Sequence, residues 1–122
     1  MFKYVKFKEL PVTDQDRAIQ FYTEQLGLRV AQDRPYQEGV RWIELEIPGA
    51  QTKILFSPRP DQTPTDAPSL ALITDDVRTS YEELRAKGVV FTQAPTVALW
   101  NPQEMFALFR DSEGNTVLIS TA

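Results

Sequence analysis

The chain of 122 residues contains neither His nor Cys, so any chemistry it performs falls to carboxylates, Tyr, Lys, Ser or Thr. His is the usual general base near neutral pH and the usual imidazole metal ligand, and Cys would supply thiolate nucleophiles, thiolate metal sites and disulfides. A Ser-His-Asp triad is therefore excluded, and no glycine-rich phosphate loop is present. The nearest approach to acid-base chemistry is a glutamate whose pKa is raised by an apolar pocket. Glu9, in KFKEL, and Glu44, in RWIELEI, are the candidates. Period-two alternation turns Ile43, Leu45 and Ile47 to one side of a strand and Trp42, Glu44 and Glu46 to the other, so an indole and two carboxylates share a face. Each carboxylate also has an ordinary reading as a solvated strand residue, and Glu9 as a surface partner of Lys6 or Lys8. Trp100 stands in VALWNPQ, read as a proline-containing loop outside any periodic element. A large aromatic residue there covers a cavity or meets a partner. Tyr4 and Tyr36 read as half-buried packing residues.

The positioning framework is a single globular domain. The 42% hydrophobic and 25% charged composition is ordinary for such a fold, and the length is sufficient to bury a core without disulfide or metal staples. A formal net charge of -4 and a pI near 4.8 oppose a phosphate-tracking surface, so nucleic acid is not an expected partner. The opening FKYVKFKEL alternates charged with apolar residues, unlike a signal peptide or a membrane span. The expected location is cytoplasmic, without a membrane partner.

Two stretches are nearly alike: TDQDRAIQFYTEQLG from Thr13 and TDDVRTSYEELRAKG from Thr74. In each, Thr-Asp supplies an amino-terminal cap and Gly a left-handed end. The spacing predicts helices near Asp14 to Leu26 and Asp75 to Lys87. Apolar faces run through Ala18, Phe21, Tyr22 and Leu26 in the first and Val77, Tyr81 and Leu84 in the second. The two faces fall out of phase by about a residue. YVKFKELPV, LRVAQDRP, VRWIELEIPG and TKILFSP carry period-two strand patterns around the first helix, and SLALIT, VVFTQAP, MFALFRD and NTVLIST do so around the second. Each half thus reads as βαβββ, with module 1 at about 1–57, a proline-rich linker at about 58–67 and module 2 at about 68–122. The fold class is α+β.

PVTDQDRAIQFYTEQLGLRV, ITDDVRTSYEELRAKGVVF and FRDSEGNTVLI resemble the three signature stretches of the vicinal oxygen chelate superfamily, which includes glyoxalase I, extradiol dioxygenases, and fosfomycin- and bleomycin-resistance proteins. The resemblance covers nearly the whole chain. It implies two βαβββ modules forming a half-open, cupped eight-stranded sheet, and a homodimer whose cavity both subunits complete. Metal-dependent members bind a divalent ion through His, Gln or Glu on four strands. The corresponding positions here are Phe7, Leu55, Ser69 and Leu118, three of which have no donor atom, while Ser is a poor ligand for transition metals. Neither a metal nor another cofactor is expected.

With Phe7 facing the cup, strand parity adds Val5 and Glu9, then Trp42, Glu44 and Glu46, then Ser69 and Ala71, then Met105, Ala107 and Phe109. The expected ligand-binding set is Phe7, Glu9, Trp42, Glu44, Leu55, Ser69, Trp100, Met105, Phe109 and Leu118. The functional expectation is a metal-free protein that binds a small aromatic or cationic molecule. A lyase, isomerase or dioxygenase of the same superfamily, using the carboxylates of Glu9 and Glu44 for catalysis or for an atypical metal site, is the alternative, and a dimerisation module with a collapsed cup is a third reading.

Overall fold

The computed structural model describes residues 1–122, which divide into two compact units, Met1–Gln62 and Thr63–Ala122. In the first, β1 (Phe7–Val12), α1 (Gln15–Gln20), a π-helical turn (Phe21–Gln25), β2 (Arg29–Gln37), β3 (Val40–Glu46) and β4 (Lys53–Pro58) follow in order. In the second, β5 (Pro68–Ile73), α2 (Val77–Ala86), β6 (Phe91–Ala98), β7 (Asn101–Arg110) and β8 (Thr116–Ser120) repeat the scheme. Each unit is βαβββ. The sheets have orders β1-β4-β3-β2 and β5-β8-β7-β6, with the first pair parallel and the others antiparallel.

The helices explain why the two sequence stretches matched yet slipped in phase. Asp14 caps α1 by accepting from Arg17 N, and Asp76, not the expected Asp75, caps α2 by accepting from Thr79 N. Both helical segments end at glycines in the left-handed region, Gly27 at φ 77° and Gly88 at φ 89°, a conformation that costs residues with a Cβ. Cap to glycine is one residue longer in the first unit, and the π-helical turn at Phe21–Gln25 absorbs the extra residue. The turn keeps both Phe21 and Tyr22 buried, with Tyr22 fully enclosed against Phe56 of β4 at 6.2 Å between ring centroids.

Each sheet buries one face under its helix. In the first unit that face carries Leu10, Ile43, Leu45, Ile54 and Phe56. In the second it carries Leu70, Ala107, Phe109, Val117 and Ile119. Burying each large apolar side chain contributes roughly 1.5–3 kcal/mol, and these faces are the cores of the units. Ile47, expected in the first core, lies beyond β3 and is exposed.

The proline-rich stretch is tied down at both ends, each within its own unit. Arg59 N donates to Val12 O at 2.9 Å, and Thr65 N donates to Gly114 O at 3.1 Å. Arg110 and Thr116 both donate to the Thr65 carbonyl. Gly114 belongs to the β7–β8 hairpin, which is organised by buried Asp111: its Oδ1 accepts from Glu113 N at 2.8 Å and Asn115 N at 2.9 Å, and its Oδ2 from Asn115 Nδ2 at 3.0 Å.

Candidate functional site

The helix-free face of the first sheet brings together the residues whose chemistry stood out in the sequence. β1 and β4 run parallel with Glu9 beside Leu55, and β4 and β3 run antiparallel with Leu55 beside Glu44. Phe7, Glu9, Trp42, Glu44 and Leu55 therefore share one side, because cross-strand partners point the same way. Glu9 and Glu44 stand two strands apart, roughly 10 Å by strand spacing, with Leu55 between them. Glu9 is exposed, whereas Glu44 is only 6% exposed and Leu55 5%.

Trp42 organises this face. Its indole Nε1 donates to Glu44 Oε2 at 2.7 Å, a length typical of a charge-assisted bond. Phe7 meets the ring edge-on at 6.2 Å and Tyr36 at 5.1 Å between centroids. Gln32 Nε2 reaches the same Glu44 oxygen at 3.5 Å, the outer limit of a hydrogen bond, and Arg34 Nε in turn donates to Gln32 Oε1 at 3.3 Å. Glu44 is thus held by an indole and an amide, with no cationic side chain against it among the described residues. Glu46 is the opposite case. It bonds Lys53 at 3.1 Å and Arg29 at 3.0 Å, and these two partners, Lys53 foremost, hold its carboxyl below the usual range.

In the second unit the strand-face assignment needs a correction. Met105, Ala107 and Phe109 were expected to face the ligand, but they lie on the helix-side parity of β7. Phe109 is completely buried and meets Phe91 of β6 at 5.4 Å, and Phe91 meets Tyr81 of α2 at 4.7 Å. The ring stack leads straight to the helix. Alternation then turns Glu104, Phe106, Leu108 and Arg110 to the other face. Register places Leu118 beside both Leu108 and Ala71, so Leu118, Ala71 and Ser69 do share the helix-free face. MFALF is apolar at both parities, so alternation alone could not choose between its faces.

Trp100 also sits in a tighter element than expected. β6 runs through Pro95 to Ala98 and β7 begins at Asn101, leaving Leu99 and Trp100 as the turn of a hairpin. β6 is an edge strand with register shifts on both sides of Pro95, positions where a missing N–H is tolerated. Trp100 Nε1 donates to Glu104 Oε2 at 2.8 Å, and its ring tilts against Phe106 at 4.9 Å. Glu104, Phe106 and Gln32 were not singled out from the sequence. Tyr36, which the sequence reads as a half-buried packing residue, is exposed and flanks Trp42.

The four positions that the resemblance aligned with metal ligands do not fit a divalent ion. Phe7, Leu55 and Leu118 supply no donor, and Ser69 Oγ lies 3.5 Å from Asn115 Oδ1. Among the described residues no group of three His, Cys, Asp or Glu side chains converges as a metal site.

A separate groove of about 540 Å³ lies in the first unit between the start of α1, the ends of β1 and β4 and the β2–β3 turn, lined in part by Val12, Gln15, Arg17, Arg41, Ser57 and Arg59. None of the expected site residues lines it. Arg41 is bidentate to Asp33 at 3.0 and 3.1 Å and reaches Asp16 at 2.9 Å, contacts that raise its pKa. Gln15 exchanges side-chain bonds with Arg41 N and O. These contacts pin the β2–β3 hairpin to α1, and they leave the Arg41 guanidinium already satisfied.

Comparison with known proteins accords with the fold. The family profile described as Glyoxalase/Bleomycin resistance protein/Dioxygenase superfamily matches residues 4–119. The uncharacterized protein YurT of Bacillus subtilis (strain 168) is 33% identical over 119 residues, covering 88% of this chain and 91% of YurT. A crystal structure of a superfamily member from Sphaerobacter thermophilus DSM 20745 is 27% identical and superposes with a TM-score of 0.85, covering 99% of this chain and 98% of the other. That of TnmS3, an antibiotic binding protein from Streptomyces sp. CB03234, is 29% identical with a TM-score of 0.83, covering 98% and 96%. No helix of the chain is long and apolar enough to cross a membrane.

Proposed function

The chain belongs to the glyoxalase/bleomycin resistance protein/dioxygenase superfamily, and we propose that it is a metal-independent binding protein for a small cationic aromatic molecule, held on the helix-free face of its first sheet. One observation carries this reading. Glu44 is a buried carboxylate whose protein partners are neutral, the Trp42 indole and the Gln32 amide, and aromatic rings stand beside it. A buried charge without a counter-ion is costly, and a ligand cation would offset that cost while its ring meets Trp42, Phe7 or Tyr36. Stacking adds about 0.5–1.5 kcal/mol beyond area burial, and a cation over a ring about 0.5–2 kcal/mol. The antibiotic-binding neighbour supports small-molecule binding as the use of this fold.

Glu9, exposed on the edge strand β1, is a second carboxylate for a ligand that extends past Leu55. Met105 and Phe109 leave the expected ligand-binding set because they lie on the helix-side face of β7, and Ser69 and Leu118 lie on the helix-free face of the second sheet. Assembly as a homodimer in the cytoplasm belongs to the same proposal. The dimer is supported by edge strands β2 and β6, which expose residues on both faces along most of their length.

The test is fluorescence titration of Trp100→Phe, in which Trp42 is the sole indole emitter, with neutral, anionic and cationic aromatics of similar size. The expected result is saturable binding that favours the cation and loses that preference in Glu44→Gln. Preference for the anion, or a cation preference that survives Glu44→Gln, would overturn the proposal.

A further inference from the structure

Arg110 is a half-buried cation without a close counter-ion. It lies on the helix-free face of β7, at the end of the second sheet, where its Nη1 donates to the Thr65 carbonyl and, at 2.7 Å, to Thr116 Oγ1. Both acceptors are neutral. The carboxylate of Asp66 stands 3.8 Å from Nη2, beyond hydrogen-bond length, and is fully exposed, whereas the Arg110 side chain is only 25% exposed. An ion pair so long and so wet contributes little. Other arginines of the chain provide the contrast: Arg41 grips Asp33 at 3.0 and 3.1 Å, and Arg29 meets Glu46 at 3.0 Å. Among the described residues, neither Nε nor Nη2 of Arg110 has an acceptor within hydrogen-bond distance, so most of its fork of five N–H donors remains available.

Alternation and register lay an apolar track away from this cation. Leu108, Leu118 and Ala71 are partners across β7, β8 and β5 in the row two residues along, and Phe106 and Ile73 flank Ser120 in the row after that. Strand rise sets these rows about 7 and 14 Å from that of Arg110. No charged side chain of β5, β7 or β8 interrupts the track between Arg110 and Phe106. Leu108, Leu118 and Phe106 are half-buried, and Ala71 and Ile73 are exposed, because α2 covers the opposite face of the sheet. The track ends at Phe106, against which the Trp100 ring rests.

We infer that Arg110 and this track form a binding site, in the second unit, for an aliphatic carboxylic acid, its carboxylate on the guanidinium and its chain along Leu108, Leu118 and Ala71. Charge commits the occupant. Bracing the Thr65 carbonyl needs one donor and no charge, so that task alone does not call for arginine, whereas the planar fork matches a carboxylate with two parallel bonds. Covering the apolar rows with a second copy of the chain would bury Arg110 further, a cost that only an incoming carboxylate offsets. The inference does not depend on the proposal for the first unit, since it uses none of the same residues.

The experiment titrates the unaltered protein with octanoate, below its micelle concentration, and with 1-octanol as the neutral counterpart of equal chain length. The methyl signals of Leu108 and Leu118 in the carbon-proton spectrum should shift along a saturating curve, with the Arg110 Nε–H signal moving in step. Octanoate should bind about tenfold more tightly than 1-octanol. Arg110→Gln keeps a donor for the Thr65 carbonyl while removing the charge, and should bring octanoate down to the level of 1-octanol. Equal affinities in the unaltered protein, or an octanoate preference that survives Arg110→Gln, would overturn the site. In case Arg110→Gln does not fold, Ala71→Asp, at an exposed strand position, sets a carboxylate beside the track and should weaken octanoate more than 1-octanol; an unchanged octanoate affinity would overturn the site. So would leucine shifts that appear on raising protein concentration without octanoate and then block its binding, because they would show that another copy covers the track. Octanoate that moves the Trp42 indole signal and not the leucine methyls would reject this site and place an anion where the first-unit proposal expects a cation.

Discussion

The helix-free faces of the two sheets differ although the sheets share one strand order. In the first unit the face carries Glu9, Glu44, Glu46 and Lys53 around Trp42 and Leu55, whereas in the second it carries Ala71, Phe106, Leu108 and Leu118, with Arg110 and Thr116 at one end. The helix-covered faces are alike, being aliphatic and aromatic in both. Topology and core can repeat because they are set by alternation, caps and a glycine stop, all of which tolerate substitution within a residue class. The exposed parity is released from that constraint. One copy has come to hold a buried carboxylate among rings, and the other an apolar surface with its tryptophan displaced to a hairpin tip.

The largest effect that would sharpen this contrast comes from the second core. Phe109→Ala should lower unfolding free energy by about 3–5 kcal/mol, while Phe106→Ala, on the helix-free face, should cost under about 2 kcal/mol. Urea denaturation of both variants decides it, and equal losses would contradict the placement of Phe109, and not Phe106, in the core beneath α2. Next comes the hairpin that only the second unit organises through a buried aspartate. Asp111→Ala strands two backbone N–H groups and the Asn115 amide, for an expected loss of about 2–3 kcal/mol by the same denaturation.

The caps should be equal. Asp14→Ala and Asp76→Ala each remove a side-chain acceptor from a helix start and should each cost about 1 kcal/mol. A markedly unequal pair would separate the two helices energetically. The smallest effect is electrostatic and confined to the first unit. Lys53 and Arg29 hold the Glu46 carboxyl below its ordinary value of 4.5, so the folded state binds that proton less readily than the unfolded state. The resulting stabilisation is complete above the ordinary value and disappears as pH falls below it through the depressed folded value. Glu46→Gln should therefore flatten the acid limb of the stability profile at low ionic strength, and less so in high salt. Superimposable profiles would show the triad to be without weight.

Much of this organisation was legible in the residues. Asp14, Gly27, Gly88 and the apolar faces of Ala18-Phe21-Tyr22 and Val77-Tyr81 announced two helices, and RWIEL divided cleanly into Ile43 and Leu45 beneath the helix and Trp42 and Glu44 opposite. What was hidden has physical causes. The phase slip required a π-helical turn, which propensity does not encode. MFALF offered two apolar faces, so only the stack from Tyr81 through Phe91 to Phe109 reveals which is the core. The partnership of Trp100 with Glu104 depends on a turn formed by Leu99 and Trp100 themselves, a pair without the Gly or Asn that usually marks such a turn.

The claim on which the functional account rests is that Glu44, bound to the Trp42 indole, anchors a cationic aromatic ligand. The nitrogen-proton spectrum of the unaltered protein contains two indole cross-peaks, one from each tryptophan, and Trp42→Phe identifies them. During titration with N-methylquinolinium the Trp42 cross-peak should move along a saturating curve, quinoline should move it less at equal concentration, and Glu44→Gln should abolish the difference. A Trp42 indole signal that does not respond to the cation, in a protein whose spectrum is otherwise that of a folded chain, would contradict the account.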